Sequence, residues 1–329
     1  MQNVNENAVC LTFQDPHLLP QLFGEDDRHI HTIEQTLGLS LSSRGNTIAI
    51  SGPSPQAQIA ETVLKDLYQK IKSGMEVGEG EIHALIRMAQ KQKPAQGSAG
   101  AKSVGFALVP DVVIRTQRKH ITPFSHQQKA YMEALMTREL VMGSGPAGTG
   151  KTYLAVAAAA SFLLEGKVER IILSRPAVEA GEKLGFLPGD MREKVDPYLR
   201  PIYDALSSMI PPERVQKHIE TGAIEIAPLA FMRGRTLKHS FVILDEAQNT
   251  TPTQMKMFLT RLGDHSRMVV TGDLTQMDLP TGMPSGFDDA IRRLSHLKDI
   301  SIIHFSAEDV VRHPLTQKIV EAYEKEPPI

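Results

Sequence analysis

From about residue 120 onward, short apolar runs alternate with longer segments of helical period. Runs at 139–144, 170–174, 223–227, 240–245, 267–272 and 300–304 are mostly apolar throughout, not alternating. A strand buried on both faces of a parallel sheet has no polar side to show, so a continuous run is its mark. Helical segments fall between the runs; residues 153–164, alanine-rich and free of Pro and Gly, are one example. The pattern predicts an α/β fold, a mostly parallel sheet with helices on both faces.

Residues 8–74 carry a different pattern. Residues 8–13 alternate as a strand does, and 29–37 is helical with Ile30, Ile33 and Leu37 apolar. Residues 39–43 and 47–50 alternate around Arg44-Gly45-Asn46, which predicts a hairpin. A helix over 55–71 places Ile59, Val63, Leu67 and Ile71 on one face, and 80–90 is a shorter amphipathic helix. The stretch 91–103 is small, polar and weakly basic, the composition of a linker. The expected organisation is therefore a small α/β module at 8–90, a flexible linker at 91–104, and a larger domain at 105–329.

Composition narrows the function. The chain has 329 residues, enough for two domains, and a formal net charge of −2. No global basic field announces nucleic acid, so any such binding must come from local patches. Arg115, Arg118, Lys119 and His120 form one such patch, either solvated surface or a phosphate-contacting strip. The single cysteine, Cys10, excludes an intrachain disulfide framework and suits a reducing compartment. The first ten residues lack a basic segment followed by an apolar run, and the longest apolar stretch, 154–164, is too short to span a bilayer. A soluble cytoplasmic protein with no membrane partner is expected.

The chemistry gathers at strand ends. Gly145, Pro146, Ala147, Gly148, Thr149, Gly150, Lys151 and Thr152 fit the phosphate-cradling pattern G-x-x-x-x-G-K-[ST]. The loop lies between an apolar run and a helix, as the pattern requires. Glycines let backbone amides approach phosphate, Lys151 reaches the β- and γ-phosphates, and the Thr152 hydroxyl ligates Mg²⁺; Tyr153 is counted with this nucleotide-binding stretch. The run 241–244 ends in Asp245 and Glu246. There the first acid supports Mg²⁺, and the second orients or activates the attacking water. The run 267–270 leads into Thr271-Gly272-Asp273-Leu274-Thr275-Gln276. In that segment Gly272 lets the chain turn, and Gln276 is placed to bond the γ-phosphate or the water. Upstream, Gln128, preferred over Gln127, pairs with the adenine edge through an amide that both donates and accepts.

These segments together resemble the superfamily 1 helicase-type ATPases, a RecA-like P-loop NTPase core. The stretch from Arg175 to Asp190, Lys194-Val195-Asp196-Pro197-Tyr198, the stretch from Pro228 to Thr236 and Asp309-Val310-Val311-Arg312-His313-Pro314 resemble the signatures of PhoH-like proteins. That resemblance covers roughly 120–325, and the overall length is similar to the bacterial YbeZ-type members. The N-terminal module resembles a KH-type RNA-binding domain. It departs from that pattern where the G-x-x-G clamp belongs, because Gly24-Glu25-Asp26-Asp27 is acidic and lacks the second glycine. An RNA binder and a degenerate interaction module both stay open.

The resemblance implies ATP and Mg²⁺ as cofactors, a role in RNA metabolism (rRNA maturation or RNA decay) and a YbeY-type endoribonuclease partner. Superfamily 1 motors close two lobes around ATP, and this chain has room for one, with an insertion near 176–222. The arginine that meets the transition state is then expected from that insertion or a neighbouring subunit, with Arg175, Arg233, Arg235 and Arg312 as candidates. A homo-oligomer, by resemblance a hexameric ring, follows. Three classes remain: an RNA-dependent ATPase or helicase, an ATP-driven assembly factor without unwinding activity, and a small-molecule kinase. The acids and Gln276 favour water attack over the last.

Overall fold

Alternating residues build the first unit of the computed structural model, which describes residues 9–74, 77–91, 112–176, 200, 202–311 and 316. The described residues divide into two compact units, one of 9–91 with 311 and 316 and one of 112–310. The first unit holds β1 (Val9–Thr12), α1 (Leu19–Phe23), α2 (Arg28–Leu37), β2 (Ser40–Arg44), β3 (Thr47–Ser51), α3 (Ser54–Lys72) and α4 (Glu79–Lys91). Its antiparallel sheet runs β1-β3-β2, with Ile50 of β3 opposite both Val9 and Leu41. Leu41, Ile48 and Ile50 are buried together with Val63, Leu67 and Ile71 of α3. The helix α1 is absent from the sequence expectation. Pro20 occupies the first turn of α1, where a missing N–H breaks no helical bond, and Leu19 and Leu22 are buried. Between α1 and α2, Asp26 and Asp27 take left-handed backbone angles (φ 53° and 57°) in the acidic loop opened by Gly24.

One buried acid of this unit, Asp66, is expected to make its stability depend on pH. Burial pushes the Asp66 carboxyl of α3 up to about 6 from 3.8, against the opposing pull of Lys70. A raised carboxyl favours the folded state fully below pH 3.8, and that contribution is lost as pH rises through 6. The difference is worth about 3 kcal/mol at most. Asp66→Asn removes the ionisation, so it is expected to increase hydrogen-exchange protection of α3 at pH 7.5 and to change it little at pH 4. An equal gain at both pH values would refute the assignment.

In the second unit all six apolar runs are strands. The elements in order are β4 (Ile114–Arg115), β5 (His120–Ile121), α5 (His126–Thr137), β6 (Leu140–Ser144), α6 (Lys151–Leu164), β7 (Arg170–Arg175), α7 (Pro212–Glu220), β8 (Ile224–Pro228), β9 (Ser240–Leu244), α8 (Pro252–Leu259), β10 (Arg267–Gly272), α9 (Gly286–Leu294) and β11 (Ile300–His304). β6 to β11 form one parallel sheet in the order β11-β6-β10-β9-β7-β8. One face packs Val141, Ile171, Phe241 and Val269 against α5, α6 and α7. The other packs Met142, Ile172, Val242 and Met268 against α8 and α9. Because β6, β9 and β10 are neighbours and parallel, the loops after all three emerge at one edge. The linker, most of the insertion, the signature stretches 177–190 and 194–198, and Arg312 lie outside the described residues.

Candidate active site

The loop from Gly145 to Gly150 joins β6 to α6. Gly148 and Gly150 sit at φ 82° and 84°, a left-handed region that costs any other residue strain. Lys151 opens α6, where the first-turn amides have no preceding turn to bond and the helix dipole favours an anion. Its ammonium turns back on its own loop and donates to the carbonyls of Gly145 (2.6 Å) and Pro146 (2.8 Å) and to Thr149 Oγ1 (3.3 Å). Burial lowers the Lys151 pKa, while the carboxylates of Asp273, Asp245 and Glu246 pull it back up. The Ala147 amide donates to Asp273 Oδ2 at 3.1 Å, so a carboxylate already stands against the loop.

The two acids after β9 are held differently. Asp245 is buried, and its Oδ1 accepts from the hydroxyls of Thr152 and Thr271, each at 2.7 Å. The Thr152 hydroxyl and the Asp245 carboxylate are hard oxygen donors in contact beside the phosphate loop, a donor set that suits Mg²⁺. Glu246 has left-handed backbone angles (φ 54°, ψ 37°), uncommon and costly for a residue with a side chain. Its carboxylate is 41% exposed and pairs through Oε1 with Arg175 Nη2 at 2.7 Å. Arg175 Nε stands 3.6 Å from Asp245 Oδ2.

A cleft of about 260 Å³ is lined by the loop residues with Tyr153, both acids, Asp273 and Gln276. Gln128 lies behind it, 2% exposed; it accepts from the Phe124 amide (2.7 Å) and donates to the Thr149 carbonyl (3.0 Å). Gln127 turns away, donating to the His304 carbonyl at 2.8 Å. The arginines separate. Arg175 stands at the strand end of its own chain's cleft, paired with Glu246. Arg235 is clamped by both oxygens of Glu225 at 2.6 and 2.7 Å, and Arg233 is exposed beside exposed Phe231. Thr271, Asp273 and Gln248 also belong to the site and were not among the expected residues. Thr271 ends an apolar run, and Asp273 sits in the Gly-Asp-x-x-Gln segment, so position alone could have flagged both.

The sequence profile of the PhoH-like protein family matches residues 120–324. A PhoH-like protein of Bacillus subtilis (strain 168) is 47% identical over 319 residues, covering 97% of this chain and 98% of its own. Another, from Synechocystis sp. (strain ATCC 27184 / PCC 6803 / Kazusa), is 41% identical over 323 residues, covering 98% of this chain and 96% of its own. Among solved structures, the large terminase from the thermophilic bacteriophage D6E superposes with a TM-score of 0.39 at 12% identity, over 63% of this chain and 52% of that one. By the profile match and by relatives aligned nearly end to end, the chain belongs to the PhoH-like protein family.

Proposed function

We propose that the protein binds ATP with Mg²⁺ and hydrolyses it, and that hydrolysis serves a step of RNA metabolism. The observation that carries the reading is the convergence of Lys151, the Thr152–Asp245 pair and Glu246 on one cleft. Thr152 and Asp245 would hold Mg²⁺, which neutralises phosphate charge when bound. Lys151 exchanges its loop carbonyls for phosphate oxygens, and the amides of α6 receive the same anion. Glu246 takes the proton of the attacking water, with Arg175 within reach of the charge that develops. Adenine recognition by Gln128 is proposed to follow a shift that exposes its carboxamide, which in this structure is buried and bonded to Phe124 and Thr149.

Exposed Arg115, Lys119 and His120 supply a local basic strip for an RNA backbone, although Arg118 is spent in part on the Ser207 carbonyl at 2.7 Å. The acidic loop at Glu25–Asp27 favours a second reading, in which the small domain docks a protein such as a YbeY-type endoribonuclease and repels phosphate. Steady-state ATPase assays with single-stranded RNA, and separately with the endoribonuclease, decide between them. Stimulation by RNA supports the first reading, and stimulation by the protein alone supports the second. Arg233, exposed on its tight loop, is proposed to complete the site of a neighbour in a homo-oligomeric ring, a hexamer. A full ATPase rate in a mass-resolved monomer would overturn the ring.

A further inference from the structure

We infer that Gln248 is a positioning residue for the hydrolytic step: its carboxamide fixes the second oxygen of Glu246 and ties it to the Gln276 segment. The inference rests on the ATP-hydrolysis reading above. Gln248 occupies a polar loop, Asp245-Glu246-Ala247-Gln248-Asn249-Thr250, where a surface residue would be unremarkable, yet it is 1% exposed. A buried carboxamide is tolerated only when its polar atoms are bonded. Both of its amide hydrogens are used, one on Glu246 Oε2 at 2.6 Å and one on the Gln276 carbonyl at 3.1 Å. Its oxygen accepts from the Asp273 amide at 3.0 Å.

Three points are thereby joined through one side chain: the water-activating acid and two backbone positions of the Gly-Asp-x-x-Gln segment. The neighbouring Asn249 repeats the connection, donating to Asp278 Oδ2 (3.1 Å) and accepting from the Asp278 amide (2.8 Å). Gly272 supplies the space. It does not take the left-handed conformation, and its close surroundings leave no room for a side chain. A Cβ there would lie 2.9 Å from Gln248 Oε1 and 2.8 Å from the Phe287 ring. Glu246 is consequently bonded on both oxygens, by Arg175 on one and by Gln248 on the other. Arg175 fixes charge, and Gln248 fixes direction. Because the same carboxamide holds the Gln276 carbonyl, a shift of that segment on loss of the γ-phosphate moves the Glu246 oxygen with it.

Steady-state kinetics of the full chain test this. Gln248→Met keeps the length and removes every hydrogen bond, so kcat should fall on the order of 10–100-fold, with nucleotide Kd within about threefold. In a Glu246→Gln background the same substitution should change kcat by less than about threefold, because the group it positions is gone. If the Met variant does not fold, Gln248→Glu serves instead. It keeps an acceptor for the Asp273 amide, sets a carboxylate against Glu246, and should show the same loss of kcat. An unchanged kcat, or an equal loss in both backgrounds, overturns the positioning role while ATP hydrolysis by the wild type stands. A wild-type chain that binds ATP without hydrolysing it overturns the underlying reading and the inference with it.

Discussion

Glu246→Gln is expected to lower kcat for ATP hydrolysis by about 10²–10⁴-fold while nucleotide affinity stays within about threefold. The glutamine has the shape of the glutamate and loses only its basicity and charge. Its acceptor oxygen can still meet Arg175 or Gln248, but not both, since its amide would set a donor against a donor. Glu246, with its left-handed backbone, lines the cleft. The phosphate loop and the Thr152–Asp245 pair are intact in this variant, so binding should survive. Steady-state kinetics beside calorimetric titration of Mg²⁺-ATP separates the two quantities. Normal turnover would mean that another group activates the water, and Asp273, already against the loop, would be the next to examine.

What could be read before the fold was known follows from burial. The six apolar runs were legible to within about one residue because strands of a helix-covered parallel sheet are mostly apolar, with central β9 buried throughout and the edge strands β8 and β11 less so. The phosphate loop was legible because its glycines, Lys151 and Thr152 are contiguous. Strand order was not legible. Thr152 and Asp245 touch at 2.7 Å only because β6 and β9 flank β10, an arrangement no local pattern encodes. Gln248 was missed because two of its three partners, Asp273 and Gln276, lie on the loop after a different strand, and a polar residue in a polar loop carries no mark of burial. Arg235 was one of four candidate arginines that the sequence could not tell apart, and Glu225 on the preceding strand holds it in two hydrogen bonds. In each case the missing information was a contact between distant segments, which periodicity and propensity do not contain.

Lys151→Ala is expected to weaken nucleotide binding by about 10–100-fold, the loss of one or two charge-assisted hydrogen bonds to phosphate. The same change should move the melting temperature of the nucleotide-free protein little. In the free protein the ammonium is buried at a desolvation cost of several kcal/mol. Against that stand three hydrogen bonds to Gly145, Pro146 and Thr149, each worth about 1.5–3 kcal/mol for a charged donor. The two effects nearly cancel, and water entering the vacated space can reach the two freed carbonyls. On nucleotide binding the cancellation ends, because phosphate offers the ammonium an opposite charge where the loop offers only dipoles. Thermal unfolding with and without Mg²⁺-ATP reads both halves of this expectation in one experiment. The wild type should gain stability with nucleotide as binding linkage requires, and the variant should gain less at the same concentration. A variant that gains as much would place the phosphates away from Lys151. The folded-back ammonium would then be a structural brace of the loop, and the cleft would have to hold its nucleotide through the α6 amides and the Thr152–Asp245 pair alone.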